Sequence, residues 1–185
     1  VFDIETVVGL SMAVERIKAE QGACYIGNDS IGKRIRVEII SWNYRWMLSP
    51  GLDSKDPGYE EAKQYLATSY DDQTVYGKDV TVEEYLRDLK ETHAYNKASK
   101  SLYIDLFGML TWTDTKGEIP VEDRKMVIGQ LSKTSAGQFA AFCQTQGVLV
   151  SKGVVKSVSD IVEIEAMPQA NGQMKYSNFA FRVAK

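Results

Sequence analysis

Residues 160–184, with Asn171-Gly172 near the middle, constrain the fold more than any other part of the chain. An Asn-Gly pair between two alternating runs signals a two-residue type I′ hairpin turn. That turn places Ala170 opposite Gln173, Ala166 opposite Ser177, Ile164 opposite Phe179 and Val162 opposite Phe181. Each pair is apolar or small, so this face belongs to a core. The other face carries Glu163, Glu165, Tyr176, Asn178 and Arg182 and is polar. Pro168, near the turn, is compatible with a strand end.

A helix precedes the hairpin. In TSAGQFAAFCQTQG, Ser135 is placed to cap, Gln138 follows at capping-box spacing, and Gly147 sits where a left-handed C-cap belongs. Phe139, Phe142 and Cys143 form its apolar face. Upstream, KMVIGQL reads as a short strand and KSLYIDLFGMLTWTD as a long one. In the long strand Leu102, Ile104 and Leu106 share one face, Tyr103, Asp105 and Phe107 the other, and Gly108 marks a bend. Residues 33–48 form a first long strand, stopped by Ser-Pro-Gly. ACYIGN is a short strand closed by a turn, and Val14 and Ile17 allow a short helix before Gly22.

Residues 50–98 read differently. DPGYEEAKQYLATS is helical in pattern, YDDQTVYGKDV suggests a hairpin or loop, and TVEEYLRDLKETHA is a helix with a Thr81–Glu84 capping box. This stretch holds Tyr59, Tyr65, Tyr70, Tyr76, Tyr85 and Tyr95, whose rings are expected to pack while their hydroxyls stay wet. The order predicts a mainly β fold with helices: a five-stranded, OB-fold-like barrel with a helix between strands three and four. The chain reads as one domain, 1–185, with an acidic, Tyr-rich insertion at about 50–98.

Net charge is −3, which argues against a nucleic-acid partner until its distribution is considered. Between Asp53 and Glu91 there are eleven acids and five bases, and elsewhere 17 bases against 14 acids. An acidic insertion on a mildly basic body permits an electrostatic groove. Cys24 and Cys143, widely spaced, and one histidine, His93, give no zinc pattern and no histidine relay. No run approaches the ~20 apolar residues of a membrane span. There is no signal-peptide pattern, so a cytoplasmic setting is expected.

The segment RIRVEIISWNYRWML supplies the candidate site. In a regular strand Arg34, Arg36, Glu38, Ile40, Trp42, Tyr44 and Trp46 share one face, while Ile35, Val37 and Ile39 face the core. Three arrangements remain open. The aromatic row lies outside beside the arginines and stacks bases. A bulge near Ile40–Ser41 flips the phase and buries the row. Or the Tyr-rich insertion covers it. Trp112, in phase with Leu110, is expected in the core, though it stays a candidate for stacking. Tyr103 and Lys100 on the second long strand, Lys133 before the helix, and Lys175 with Tyr176 after the hairpin turn complete the candidate set.

Taken together, the aromatic first strand, the run LSKTSAGQFAAFCQTQG and the hairpin VEIEAMPQANGQMKYSNFAFRV make the chain similar to phage-type single-stranded-DNA-binding proteins with an elaborated OB-fold. The similarity covers residues 23–185, with 50–98 the variable part. It implies non-catalytic, largely sequence-independent coating of single-stranded DNA in phage replication or recombination, with replication proteins as further partners. Many members recruit those partners through an acidic tail; this sequence ends FRVAK, so it either lacks the tail or has had it trimmed.

The paired acids Asp71-Asp72, Asp53/Asp56 and Glu83-Glu84 do not converge by spacing, since neighbours diverge on a strand or by about 100° on a helix. No P-loop, GxGxxG, HExxH or GxSxG occurs. The expectation is a binder, not an enzyme, with no cofactor and no metal. The competing reading is a protein–protein module of a replication or virion assembly that uses the Tyr-rich insertion.

Overall fold

The computed structural model describes residues 2–151, 161–171 and 174–184; at 147–151, 171 and 174–176 it describes the backbone only. In chain order the elements are α1 (Ile4–Ala13), β1 (Glu15–Glu20), β2 (Ala23–Ile26), β3 (Asp29–Gly32), β4 (Arg34–Ser49), α2 (Tyr59–Ala62), β5 (Ala67–Ser69), α3 (Val82–Glu91), β6 (Ser99–Thr113), β7 (Gly117–Glu118), β8 (Met126–Leu131), α4 (Lys133–Ser151), β9 (Ile161–Asn171) and β10 (Met174–Val183). They form two compact units, Val1–Asn43 with Ile104–Lys185, and Tyr44–Tyr103. The boundary falls inside the two longest strands, so the second unit takes an end of each.

The first unit is mainly β, with helices, on a strongly curled sheet ordered β10-β9-β4-β6-β8-β1-β2-β3. Counting β4, β6, β8, β9 and β10 as strands one to five gives the order 5-4-1-2-3 with α4 between three and four, the OB arrangement. The N-terminal strands extend it. β1 runs parallel to β8, with Glu15 opposite Val127, and the curl brings the β1–β2 turn to β10, where the Gly22 N–H donates to Ser177 Oγ at 2.9 Å. One core cluster fills the curl: Ile35 and Val37 of β4, Ile104, Leu106 and Leu110 of β6, Phe139 of α4, Val162 and Ile164 of β9 and Phe179 of β10. Cys24 is buried there, which pushes its thiol up to about 12, while Cys143 is half-buried and also raised by burial.

Four local expectations change. The helix expected around Val14 and Ile17 lies upstream as α1, capped by Asp3 Oδ1 accepting the Thr6 N–H at 2.8 Å, and residues 15–20 are strand. Ile17 is a core residue there, pulled into the sheet by its partner β8. Ser135 does not cap α4: the Ala136 N–H bonds the Ser132 carbonyl, and the buried Ser135 hydroxyl accepts the Phe179 N–H at 3.0 Å, tying helix to hairpin. Gly147 lies inside α4, which continues to Ser151. The hairpin register is displaced by two. Ala170 faces Lys175, Ala166 faces Phe179, Ile164 faces Phe181 and Val162 faces Val183, with Asn171 opposite Met174. The turn residues 172 and 173 lie outside the described residues. A two-residue shift keeps every side chain on its face, so the apolar pattern cannot detect it.

β4 and β6 each change the face they turn to the core. Ile35, Val37 and Ile39 pack inward, but Ser41 Oγ accepts the Phe2 N–H at 3.2 Å and Asn43 Nδ2 donates to the Phe2 carbonyl at 2.9 Å. On β6, Phe107 meets Phe2 edge-on at 5.6 Å while Leu106 faces the core. Gly108 sits at the crossing. A Cβ there would come within 2.2 Å of Val37 Cγ1 and 2.7 Å of the Glu38 carbonyl oxygen, so only glycine lets the strands pass so closely.

In the second unit β5 pairs with the end of β4, Trp46 opposite Ser69. Leu48, Val75 and Val82 form a small core. The helical pattern of 56–69 gives only α2, one 3-10 turn at Lys63–Tyr65 and then strand. The Thr81–Glu84 capping box of α3 is present, and Tyr85 Oη donates to the Tyr65 carbonyl at 2.8 Å. His93 stacks on Tyr65 at 4.5 Å beside Asp88 at 3.5 Å. Of the six tyrosines only Tyr76 is exposed, and it packs edge-on to Tyr70 at 5.4 Å.

Candidate nucleic-acid interface

The aromatic row of β4 follows neither simple alternative. The phase does change beyond Ile39, as a buried row would require, yet the row stays open. Trp42, in the first unit, is 38% exposed and touches the core with one edge, its ring 5.7 Å from that of Phe139. Ile40 beside it on the same face is also exposed. In the second unit Tyr44 is 50% exposed, and its ring lies 6.3 Å from that of the half-buried Trp46. Partial burial fixes each ring's orientation while part of its surface stays open to solvent.

Trp112 is not core. Leu110 packs inward, but two residues on Trp112 lies half-exposed beneath two guanidiniums, Arg36 at 5.0 Å and Arg34 at 5.9 Å. Between them the Thr111 hydroxyl donates to the Arg36 carbonyl at 3.1 Å. The strand turns over there, so residues in step by number fall on different sides. The cation–π contacts contribute about 0.5–1 kcal/mol each at an exposed site.

The arginines have carboxylate partners that the sequence reading did not assign. Arg34 Nη2 lies 3.2 Å from Asp114 Oδ1, and its backbone N–H donates to Oδ2 at 2.7 Å. Arg36 Nε lies 3.4 Å from Glu163. Lys33 Nζ lies 2.7 Å from Glu165, and Arg182 bonds both Glu163, at 2.9 Å, and Glu165. The Lys33 ammonium and the neighbouring arginines hold the Glu165 carboxyl below its usual range. Hairpin parity had put both glutamates and Arg182 on the polar face; their pairing with β4 needed the β4–β9 register, Arg36 opposite Glu163, which no local pattern encodes.

The other candidates are scattered. Lys133 is exposed at the start of α4. In the second unit Lys100 Nζ bonds Asp72 at 2.5 Å, and Tyr103 lies under the Arg45 guanidinium at 5.1 Å. The backbones of Lys175 and Tyr176 are in β10, and their side chains lie outside the described set.

The acids weighed as acid/base or metal groups do local work. Asp71 accepts from the Gln73 and Thr74 N–H groups and from the hydroxyls of Thr74 and Ser69. Asp56 accepts the Asp53 N–H, and Glu84 serves the α3 cap. Among the described residues no group of three or more His, Cys, Asp or Glu is placed to hold a metal, and no helix is long and apolar enough to cross a membrane. No family model matches the chain, and comparison with curated proteins and with solved structures finds no significant match.

Proposed function

We propose that this chain binds single-stranded DNA, largely without sequence preference and without catalysis, in the replication or recombination setting of phage-type OB-fold proteins. The observation that carries the reading is the exposure of Trp42 on β4, its ring propped at one edge by Phe139 and open to solvent. A base presents a flat face to such a ring, and each stacked base contributes roughly 1–3 kcal/mol. Curled OB-type sheets are suited to carrying such platforms.

Titrating the protein with oligodeoxythymidylate at low salt tests this. Tryptophan fluorescence is quenched on binding, affinity falls steeply as salt rises, and Trp42→Ala and Tyr44→Ala each weaken binding at least about fivefold. No quenching by a folded protein at low salt overturns the proposal.

One observation favours a second reading, a protein–protein module: Arg34 and Arg36 at the start of β4 already carry carboxylate partners, while Tyr76 of the Tyr-rich unit is exposed. On that reading Tyr76→Ala abolishes a partner contact and leaves the oligonucleotide titration flat throughout.

A further inference from the structure

Resting on the DNA-binding reading, we infer that the ionic ladder across the outer faces of β4, β9 and β10 is a phosphate-binding track, with Lys33 and Arg182 as contact residues beside Arg34 and Arg36. The ladder is in register. Arg182, Glu163 and Arg36 lie opposite one another on three adjacent strands, and Arg34 lies opposite Glu165 on the next row. Ile35, Val37, Val162, Ile164 and Phe179 fill the opposite, inner face, so this face is fixed by the core beneath it.

The layering decides what it presents. The acids are sunk: Glu163, Glu165 and Asp114 have side chains 9–24% exposed, while those of Lys33, Arg34, Arg36 and Arg182 are 31–55% exposed. Four cations stand above three sunken carboxylates, and Glu38, exposed at the end of the same β4 row, is the one acid at their level, so the outer layer is positive although the face is neutral in sum. Each guanidinium carries five N–H donors in a planar fork. Arg36 engages Glu163 through Nε, so its outer edge can meet a phosphodiester oxygen while the buried carboxylate keeps it in place. Holding a long side chain in its bound position lowers the ordering cost of binding. Trp112, under Arg34 and Arg36, fixes the other end of the row. The ladder thus supplies backbone contacts that carry no base identity, the complement of the stacking platform on β4.

The test compares salt dependence in the full chain, with oligodeoxythymidylate as probe. Arg182→Ala and Lys33→Ala should each weaken binding about three- to tenfold at low salt and reduce the slope of log K against log salt by about 0.7, the share of one phosphate contact on a single strand. Lys33→Ala removes a mostly exposed head group, so it guards against Arg182→Ala merely unfolding the hairpin; thermal melts of both variants check this. Trp42→Ala should weaken binding and leave the slope unchanged. If wild-type protein and Trp42→Ala behave as stated, but the slope survives in both cation variants, the track is wrong and the DNA-binding reading stands. If wild-type protein shows no quenching, the DNA-binding reading itself fails.

Discussion

The two units hold their shape by different means. In the first, Ile35, Val37, Leu106, Phe139, Val162 and Phe179 pack into one cluster drawn from β4, β6, β9, β10 and α4. In the second, the small core of Leu48, Val75 and Val82 is surrounded by polar devices: the Asp71 turn, the Thr81–Glu84 box and the Tyr85–Tyr65 bond. Gly51 belongs with these devices; at φ +82° its Cα lies so near the Lys97 carbonyl that a Cβ would fall 2.3 Å from the oxygen. Hydrophobic burial scales with area, whereas a single capping or turn bond yields only about 1 kcal/mol. The first unit should therefore be sensitive chiefly to lost volume, and the second chiefly to lost bonds.

The largest effect that can break this contrast is Phe139→Ala. The ring is fully buried, joined edge-on to Trp42 and to Phe181 at 5.3 Å, and its removal leaves a cavity beneath Trp42. A loss of about 3–5 kcal/mol is expected in urea unfolding. Because the ring supports one edge of Trp42, tryptophan emission should also shift to the red before unfolding. A loss below about 1.5 kcal/mol would mean that the first unit does not depend on this cluster.

Thr81→Ala should cost less, about 1 kcal/mol, because it removes the hydroxyl that accepts the Glu84 N–H, one half of the reciprocal cap on α3, and leaves the backbone N–H of position 81 on the Glu84 carboxylate. Amide exchange within Val82–Glu91 should speed up while exchange in β8 stays slow. Equal acceleration in β8 would erase the distinction between the units.

Several of these features could be read from residues and several could not. The capping box and the inward parity of Ile35, Val37, Ile164 and Phe179 follow from local pattern, and they survive intact. The aromatic row was legible as a row, but not its exposure. That depends on where β4 turns over past Ile39, which Gly108 on another strand permits. Trp112 was misplaced for the same reason: parity counts residues, while the core contact follows the twist. Asn171-Gly172 favours its own turn locally, yet Val162 and Ile164 also pair with Val37 and Ile35 of β4, and the observed register serves both neighbours. The ionic ladder was out of reach because it joins residues about 130 positions apart along the chain, a closure that only the tertiary fold supplies.

The smallest expected effect, and the most local, comes from acid. Asp71 lies well below the ordinary carboxylate range because the Thr74 N–H and hydroxyl, the Gln73 N–H and the Ser69 hydroxyl all bond its charged form. Its folded pKa is below its unfolded one, so its contribution is complete above the unfolded value of 3.8 and shrinks as pH falls from there toward the folded value. The carboxylate is exposed, so the change should be modest, visible first as faster exchange of the Gln73 and Thr74 amides between neutral pH and pH 3, after correction for intrinsic rates. Asp71→Asn keeps an acceptor oxygen but cannot titrate. It should start with those amides less protected and show little further acid-dependent opening, while amides of Val127 and Ile128 in the first unit serve as the reference. If the variant and the wild type open alike at 73 and 74 as the pH drops, the ionised turn is not what holds this part of the second unit, and the contrast between packing and polar devices loses its clearest case.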